Sequence, residues 1–132
     1  MTTEALTEAN TADTIAVHRV VSQPVKRVWS ALVTPAGQVA LLGAGARLGD
    51  KGDKWQAEDG TCGVTRSYHP LEEVRFSWRQ TEQAPRTMVT LRLAPSGETT
   101  TITIRHDHAG ADVDVTKLAA HWESVLDFLA TA

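Results

Sequence analysis

Histidines in the second half of the chain are the side chains best suited to chemistry near neutral pH. His121 lies in a predicted closing helix, beside its apolar residues and next to Val125. Aimed into a pocket, it would hold a carbonyl or act as a general acid or base. It could equally lie at the boundary of the buried face and point to water. For catalysis, the sequence offers only Tyr68 or Arg66 as its acid–base partner.

His106 and His108 are spaced two residues apart, so they share one face of a predicted strand. Two imidazoles at this spacing make half of a metal site. A metal ion needs a third and a fourth ligand. His121 can come close only if its helix passes over that end of the strand. We therefore predict no metal site, and we place His108 at a solvated strand end.

Three tryptophans, Trp55, Trp78 and Trp122, are candidates for the walls of a pocket that takes a flat or apolar ligand. The competing interpretation is that each belongs to the hydrophobic core. Trp29 is assigned to the core, because it lies on a short amphipathic helix beside Val25 and Leu32.

The alternation of side chains along the predicted strands assigns each arginine to one face of the sheet. Arg75 and Arg79 fall on the face that points to water. Arg66 shares a face with Val64 and Tyr68. If that face is the inner one, Arg66 and Tyr68 form the polar end of the pocket.

Composition excludes several classes of protein. The 132 residues carry a formal net charge of -3, which argues against a nucleic-acid or anionic-membrane partner. A single cysteine, Cys62, allows no intramolecular disulfide, and no secretory signal or long apolar stretch occurs. No nucleophile motif, phosphate loop or dinucleotide fingerprint is present, so no cofactor is predicted. We expect a cytoplasmic protein.

A long closing helix, from about Asp114 to Ala132, is the element that must position these groups. At about 100° per residue, its apolar side chains fall within an arc about 100° wide, which suits a helix lying on a sheet. These side chains are Val115, Leu118, Trp122, Val125, Leu126 and Leu129.

The rest of the chain predicts the sheet. Residues 1–13 are polar and without period, so we expect a disordered tail, followed by one domain over residues 14–132. Thr14 to Ser22 is the first strand, and short helices over Val25 to Leu32 and Pro35 to Leu42 follow it.

Strand and turn signals fill the middle of the chain. The predicted strands are Arg47 to Gly49, Asp53 to Glu58, Cys62 to His69, Glu73 to Gln80, Arg86 to Ala94 and Thr99 to Asp107. Their alternation indicates an antiparallel meander with one covered face. The fold class is therefore α+β, with a curved antiparallel sheet of about six to seven strands wrapped around the closing helix. A cavity is expected between helix and sheet.

Three segments in this order resemble the START-like, or SRPBCC, helix-grip superfamily, and within it the group similar to the Hsp90 ATPase activator. They are VSQPVKRVWSALVTP (Val21 to Pro35), GVTRSYHPLEEVRFSW (Gly63 to Trp78) and HWESVLDFL (His121 to Leu129). Two features depart from the family pattern. His121 stands where the family usually has glycine, and Val39 to Gly52 carries scattered single glycines. We expect a smaller cavity than in lipid-transferring relatives.

The residues and the resemblance together imply three functions. The first is binding of a small hydrophobic or aromatic ligand, by a monomer or homodimer. The second is an enzyme of the polyketide cyclase or dehydratase kind, with His121 as candidate catalytic residue. The third is a chaperone-interaction module. The residues predicted to contact the ligand are Trp55, Arg66, Tyr68, Trp78, His106, Leu118, His121, Trp122 and Val125.

Overall fold

The computed structural model describes residues 14–107 and 115–131. The strands are β1 (Thr14–Val21), β2 (Lys54–Gln56), β3 (Cys62–His69), β4 (Glu73–Trp78), β5 (Thr87–Ser96) and β6 (Thr99–Asp107). The helices are α1 (Val25–Leu32), α2 (Pro35–Leu42) and α3 (Val115–Ala130). The expected tail over residues 1–13, the predicted site of His108 and the side chain of Val115 lie outside the described residues.

The strands form one open antiparallel sheet in the order β1-β6-β5-β4-β3-β2. This confirms the predicted α+β helix-grip architecture. The strand predicted at Arg47 to Gly49 is wrong, because this segment does not pair with the sheet. It is held by Gln38 instead, whose Oε1 accepts from the Leu48 N–H at 2.8 Å and whose Nε2 donates to the Leu32 carbonyl at 2.9 Å.

Two prolines and a threonine set the positions of the short helices. Pro24 precedes α1 in an extended conformation, and Pro35 opens α2, where no backbone donor is needed. The Thr34 hydroxyl accepts the Gly37 N–H at 3.0 Å and so caps α2. A Cβ on Gly37 would lie 2.1 Å from the Ala31 carbonyl oxygen, so glycine is required for the two helices to pack.

The inner face of the sheet and the apolar arc of α3 form one core. Val74, Phe76 and Trp78 are buried on β4, as the alternation predicts. On α3 the buried side chains are Leu118, Trp122, Val125, Leu126 and Leu129, which confirms the predicted arc. Trp29 packs against the core as assigned, although it is only half-buried, and it meets Tyr68 edge-on with ring centroids 5.5 Å apart.

A β-bulge interrupts the alternation of β3. Thr65 pairs with Phe76 and Ser67 pairs with Arg75, so the register shifts between them and Arg66 is the extra residue.

An ion-pair cluster joins the edge strand β1 to α3. The Arg19 guanidinium contacts the Glu123 carboxylate at 2.9 Å and also the Asp127 carboxylate. These carboxylates, four residues apart, lie on the same side of α3. Across the described part of the chain, no helix combines the length and apolarity that crossing a bilayer requires.

Candidate functional site

A cleft of about 530 Å³ opens beside the first two turns of α3. Its walls come from the end of α2, the turn after Glu58, the end of β4 and the start of α3. It is lined by Val39, Ala40, Leu42, Gly43, Asp59, Thr61, Trp78, Gln80, Lys117, Leu118 and His121. The volume lies within the range of small-molecule sites, roughly 300–1,000 Å³. We call this the α3 cleft.

The wall at Trp78 is fixed by a hydrogen-bonded chain inside the core. The Trp122 indole N–H donates to His106 Nδ1 at 3.2 Å. His106 Nε2 lies 2.7 Å from the Thr87 hydroxyl oxygen, and this hydroxyl donates to the Trp78 carbonyl at 2.6 Å. Because a carbonyl can only accept, the one hydroxyl proton of Thr87 is committed to it. His106 must therefore carry its proton on Nε2 and accept at Nδ1.

His106 is a supporting residue behind the cleft. It is fully buried, and its ring lies edge-on between Trp78 and Trp122, at centroid distances of 5.0 and 5.6 Å. Burial lowers the pKa of His106 to about 4, because the charged imidazolium would lose its hydration. The neutral imidazole thus holds the Trp122 indole by a hydrogen bond, packs edge-on against the Trp78 ring and has both of its nitrogens occupied. The structure does not place it among the residues that line the cleft.

His121 is the predicted residue that lines the cleft with a reactive group. It is half-buried, and its ring meets Trp122 with centroids 4.6 Å apart. Its Nε2 lies 3.1 Å from the Leu41 carbonyl oxygen, which can only accept, so the neutral ring has its proton on Nε2. Nδ1 then carries a lone pair, and no residue in the described ranges bonds to it.

Asp59 faces His121 across the cleft and was not predicted as a site residue. Its Oδ1 accepts the Thr61 N–H at 3.0 Å. This hydrogen bond, and to a lesser degree the positive charge that His121 carries when its ring is protonated, lower the pKa of the Asp59 carboxyl. Asp59 lies in an exposed turn after β2. What the sequence could not show is that the turn lies opposite α3.

Gln80, Thr61 and Lys117 complete the polar lining. Gln80 follows Trp78 by two residues, so the alternation that selected Trp78 could also have selected Gln80. The other two come from a turn and a helix whose proximity is tertiary. The lining of the α3 cleft therefore combines these polar groups with the apolar side chains of Val39, Leu42, Trp78 and Leu118.

Of the remaining predicted site residues, only Leu118 lines the α3 cleft. Trp55 is buried edge-on against Phe76, with ring centroids 5.9 Å apart, and lies outside the α3 cleft. Tyr68 lines a separate pocket of about 210 Å³ beside Val33 and Leu48. Trp122 and Val125 are buried in the core and do not line the cleft; Leu118 does.

Arg66 requires a correction. The prediction that it shares an inner face with Tyr68 is wrong, because the bulge on β3 breaks the alternation between them. Arg66 is exposed, and Tyr68 lies inward beside Trp29. An acid–base pair of His121 with Arg66 or Tyr68 is therefore not assembled. The group that faces His121 is Asp59.

No cluster of three or more potential metal ligands occurs within residues 14–107 and 115–131. The side chains of the α3 cleft offer apolar contact at Trp78 and Leu118, hydrogen bonding at Gln80 and Thr61, and proton acceptance at His121.

Residues 22–132 match the family described as "Activator of Hsp90 ATPase homolog 1-like protein". A comparison with curated protein sequences gives no match. CalU16 from Micromonospora echinospora is similar in structure, with a TM-score of 0.74, 24% identity, and coverage of 89% of this chain and 74% of CalU16.

DynU16, from the dynemicin biosynthetic locus, has a TM-score of 0.75 and 24% identity over 92% of this chain. The chain spans about half of DynU16, covering 47% of it. The Aha1 dimer from Colwellia psychrerythraea has a TM-score of 0.73 and 16% identity, over 90% of this chain and 94% of Aha1. At these identities the likeness shows a shared fold.

Proposed function

Because the chain belongs to the activator of Hsp90 ATPase homolog 1-like family, within the START-like (SRPBCC) helix-grip superfamily, we propose that it binds a small aromatic molecule in the α3 cleft. The observation that carries this proposal is the wall formed by Trp78 and His121. The Trp78 ring is buried and packs edge-on against His106, and the His121 ring is held by the Leu41 carbonyl, so a ligand need not break either contact. A preorganised wall lowers the entropic cost of binding.

The lining of the cleft supports a ligand with both an apolar ring and a polar substituent. Trp78 and Leu118 supply an apolar surface, and Gln80 and Thr61 supply hydrogen-bonding groups. Asp59 and Lys117 contribute opposite charges, so the cleft has no strong excess of either sign. A neutral, flat molecule with one or two polar groups fits this lining better than a fatty acyl chain.

The first test is native mass spectrometry of the protein purified from its own cells, with identification of any small molecule released on denaturation. A stoichiometric aromatic compound supports the proposal. An acyl lipid contradicts it, because the polar half of the cleft would then face hydrocarbon. A bare protein that also binds no member of an aromatic library shifts the assignment to the chaperone-interaction module that the family description implies.

A matched pair of variants locates the site. Ala40 on α2 lines the cleft, and Ala36, one turn earlier, is exposed and does not. Ala40→Phe should fill the cleft and weaken binding of an identified ligand at least tenfold by isothermal titration calorimetry. Ala36→Phe places the same side chain on the same helix and should leave the affinity within twofold. Equal affinities for both variants would place the ligand elsewhere.

An enzyme of the cyclase or dehydratase kind is the second candidate, and the presence of His121 and Asp59 in one cleft favours it. An imidazole with a free Nδ1 lone pair, held by a carbonyl behind it, has the geometry of a general base. DynU16 belongs to a biosynthetic locus, which motivates a search for turnover with polycyclic aromatic precursors. His121→Ala should then abolish the reaction and largely preserve ligand affinity, whereas pure binding predicts no turnover in either protein.

Oligomeric state is proposed to be monomer or homodimer, in keeping with the dimer solved for Aha1 from Colwellia psychrerythraea. Sedimentation equilibrium decides between the two.

A further inference from the structure

The ligand class can be narrowed further, on the premise that the α3 cleft is the binding site. We infer that the cleft selects neutral aromatic molecules that carry a hydrogen-bond donor, such as a phenolic hydroxyl. Nδ1 of His121 is the atom that accepts the hydrogen bond from this donor.

The contact of His121 with α2 determines the tautomer of its neutral ring. Leu41 belongs to α2, and its carbonyl oxygen lies 3.1 Å from His121 Nε2. This contact uses the ring's one N–H in the neutral form. The other ring nitrogen can then offer only a lone pair, so the neutral histidine is an acceptor toward a ligand.

The surroundings of the His121 ring indicate which of its edges is left for a ligand. Leu41 is fully buried, whereas His121 lines the cleft. The Nε2 edge is therefore engaged on the protein side, and the ring edge left for a ligand includes Nδ1. A ligand that brings only acceptors, such as an ether or a ketone, would oppose two lone pairs there and leave both unsatisfied.

The charged side chains of the cleft lining bear on the charge of the ligand. Asp59 places a carboxylate in the cleft, and Lys117 places an ammonium group in the same lining. Both signs of charge are present in this lining, so neither a cation nor an anion would meet a field of one sign. The donor on the ligand is therefore expected to be a neutral hydroxyl attached to a ring that packs on Trp78.

The experiment compares 2-naphthol with 2-methoxynaphthalene by isothermal titration calorimetry on the full chain. The two probes share a ring system and an oxygen, and only the first has a donor. We expect the wild-type protein to bind 2-naphthol about three- to tenfold more tightly, the difference that one neutral hydrogen bond makes. In His121→Phe, which keeps a ring but removes the acceptor, the two affinities should agree within twofold.

A control variant and an NMR measurement complement this comparison. His18→Phe replaces an exposed histidine on β1 and should retain the preference. In the wild-type protein, the Nδ1 resonance of His121 in a ¹⁵N spectrum should shift with 2-naphthol and stay in place with 2-methoxynaphthalene. This measurement needs no variant, so it still decides if His121→Phe fails to fold.

Each remaining outcome has a distinct meaning. If both probes bind equally to wild type, the inference fails while the proposed aromatic site stands. If neither probe binds, the proposed function fails and the inference with it. If Asp59→Ala removes the preference and His121→Phe retains it, the acceptor is the carboxylate and the assignment to His121 is overturned.

Discussion

His106 is a histidine that the fold holds neutral. It accepts from the Trp122 indole and donates to the Thr87 hydroxyl, with no nitrogen left for a second proton. Protonation of the ring would turn the Trp122 contact from a hydrogen bond into the approach of two donors. The wall of the α3 cleft is therefore sensitive to acid at a residue that a ligand does not touch.

This predicts a pH dependence of stability. The pKa of His106 falls from 6.5 to about 4 on folding, so the unfolded chain binds the proton at a higher pH than the folded chain. The free energy of unfolding should therefore fall as the pH drops from about 6.5 to about 4, with a contribution on the order of 3 kcal/mol, and it should be constant in this respect above pH 7. Urea unfolding midpoints across this range measure the effect.

The control for this prediction is another histidine. His106→Gln should flatten the pH dependence while lowering stability at pH 7, since it removes the titrating group. His18→Gln, at an exposed position on β1, should leave the slope unchanged. A slope that persists in His106→Gln would assign the acid sensitivity to other residues.

At the scale of elements, α1 and α2 determine the shape of the cleft because α2 forms one of its walls. Their close packing depends on Gly37, because a Cβ at this position would clash with the backbone of Ala31 and Leu32. Backbone cannot move aside as a flexible side chain can. The position of α2, and with it this wall of the cleft, therefore depends on the absence of a side chain at residue 37.

Gly37→Ala should consequently displace α2 and destabilise the protein by about 1–3 kcal/mol, the usual effect of overpacking. Chemical denaturation measures the loss. Gly97→Asn is the comparison, because Gly97 has open space around it and a left-handed conformation, with φ 63°, that asparagine tolerates. A loss in Gly37→Ala no larger than in Gly97→Asn would mean that α2 moves freely.

The Arg19 cluster belongs to the same scale, because it links the edge strand β1 to α3. Arg19→Met should destabilise the protein by about 1 kcal/mol or less at low salt, since the partners Glu123 and Asp127 are largely exposed. The loss should shrink at 1 M salt. Arg105→Met, which breaks a pair with Asp107 on the same strand, should have a smaller effect because it joins no two elements.

The molecule as a whole has one core, to which both the sheet and α3 contribute. We expect sheet and helix to unfold together. Urea curves followed by far-UV circular dichroism and by tryptophan fluorescence should coincide, because Trp55, Trp78 and Trp122 all lie in this core. Separate transitions would show that α3 detaches while the sheet remains folded.

Most of this architecture could be predicted from periodicity. The arc on α3 and the alternation of β4, β5 and β6 depend on local spacing, which the sequence displays directly. The site was less accessible. Asp59 faces His121 only because a turn and a helix meet in three dimensions, and Thr87 reaches His106 only through the pairing of β5 with β6.

Departures from the pattern were inaccessible for a related reason. The bulge at Arg66 adds one residue to β3 without leaving a mark on residue type, so Arg66 and Tyr68 were assigned to one face. Arg47 to Gly49 was predicted as a strand, but the segment is held by the side chain of Gln38. A polar side chain that replaces strand pairing cannot be recognised from alternation.

The hydrogen-bonded chain from Trp122 to Trp78 also has a consequence for diversification of this protein. One wall of the cleft is built from side chains that the fold requires, so a change there alters stability before it alters specificity. The rim of the cleft also carries the exposed side chains of Val39, Asp59 and Gln80. A mutational library aimed at new ligands should vary that rim and leave the tryptophan wall intact, and natural divergence in ligand choice should follow the same division.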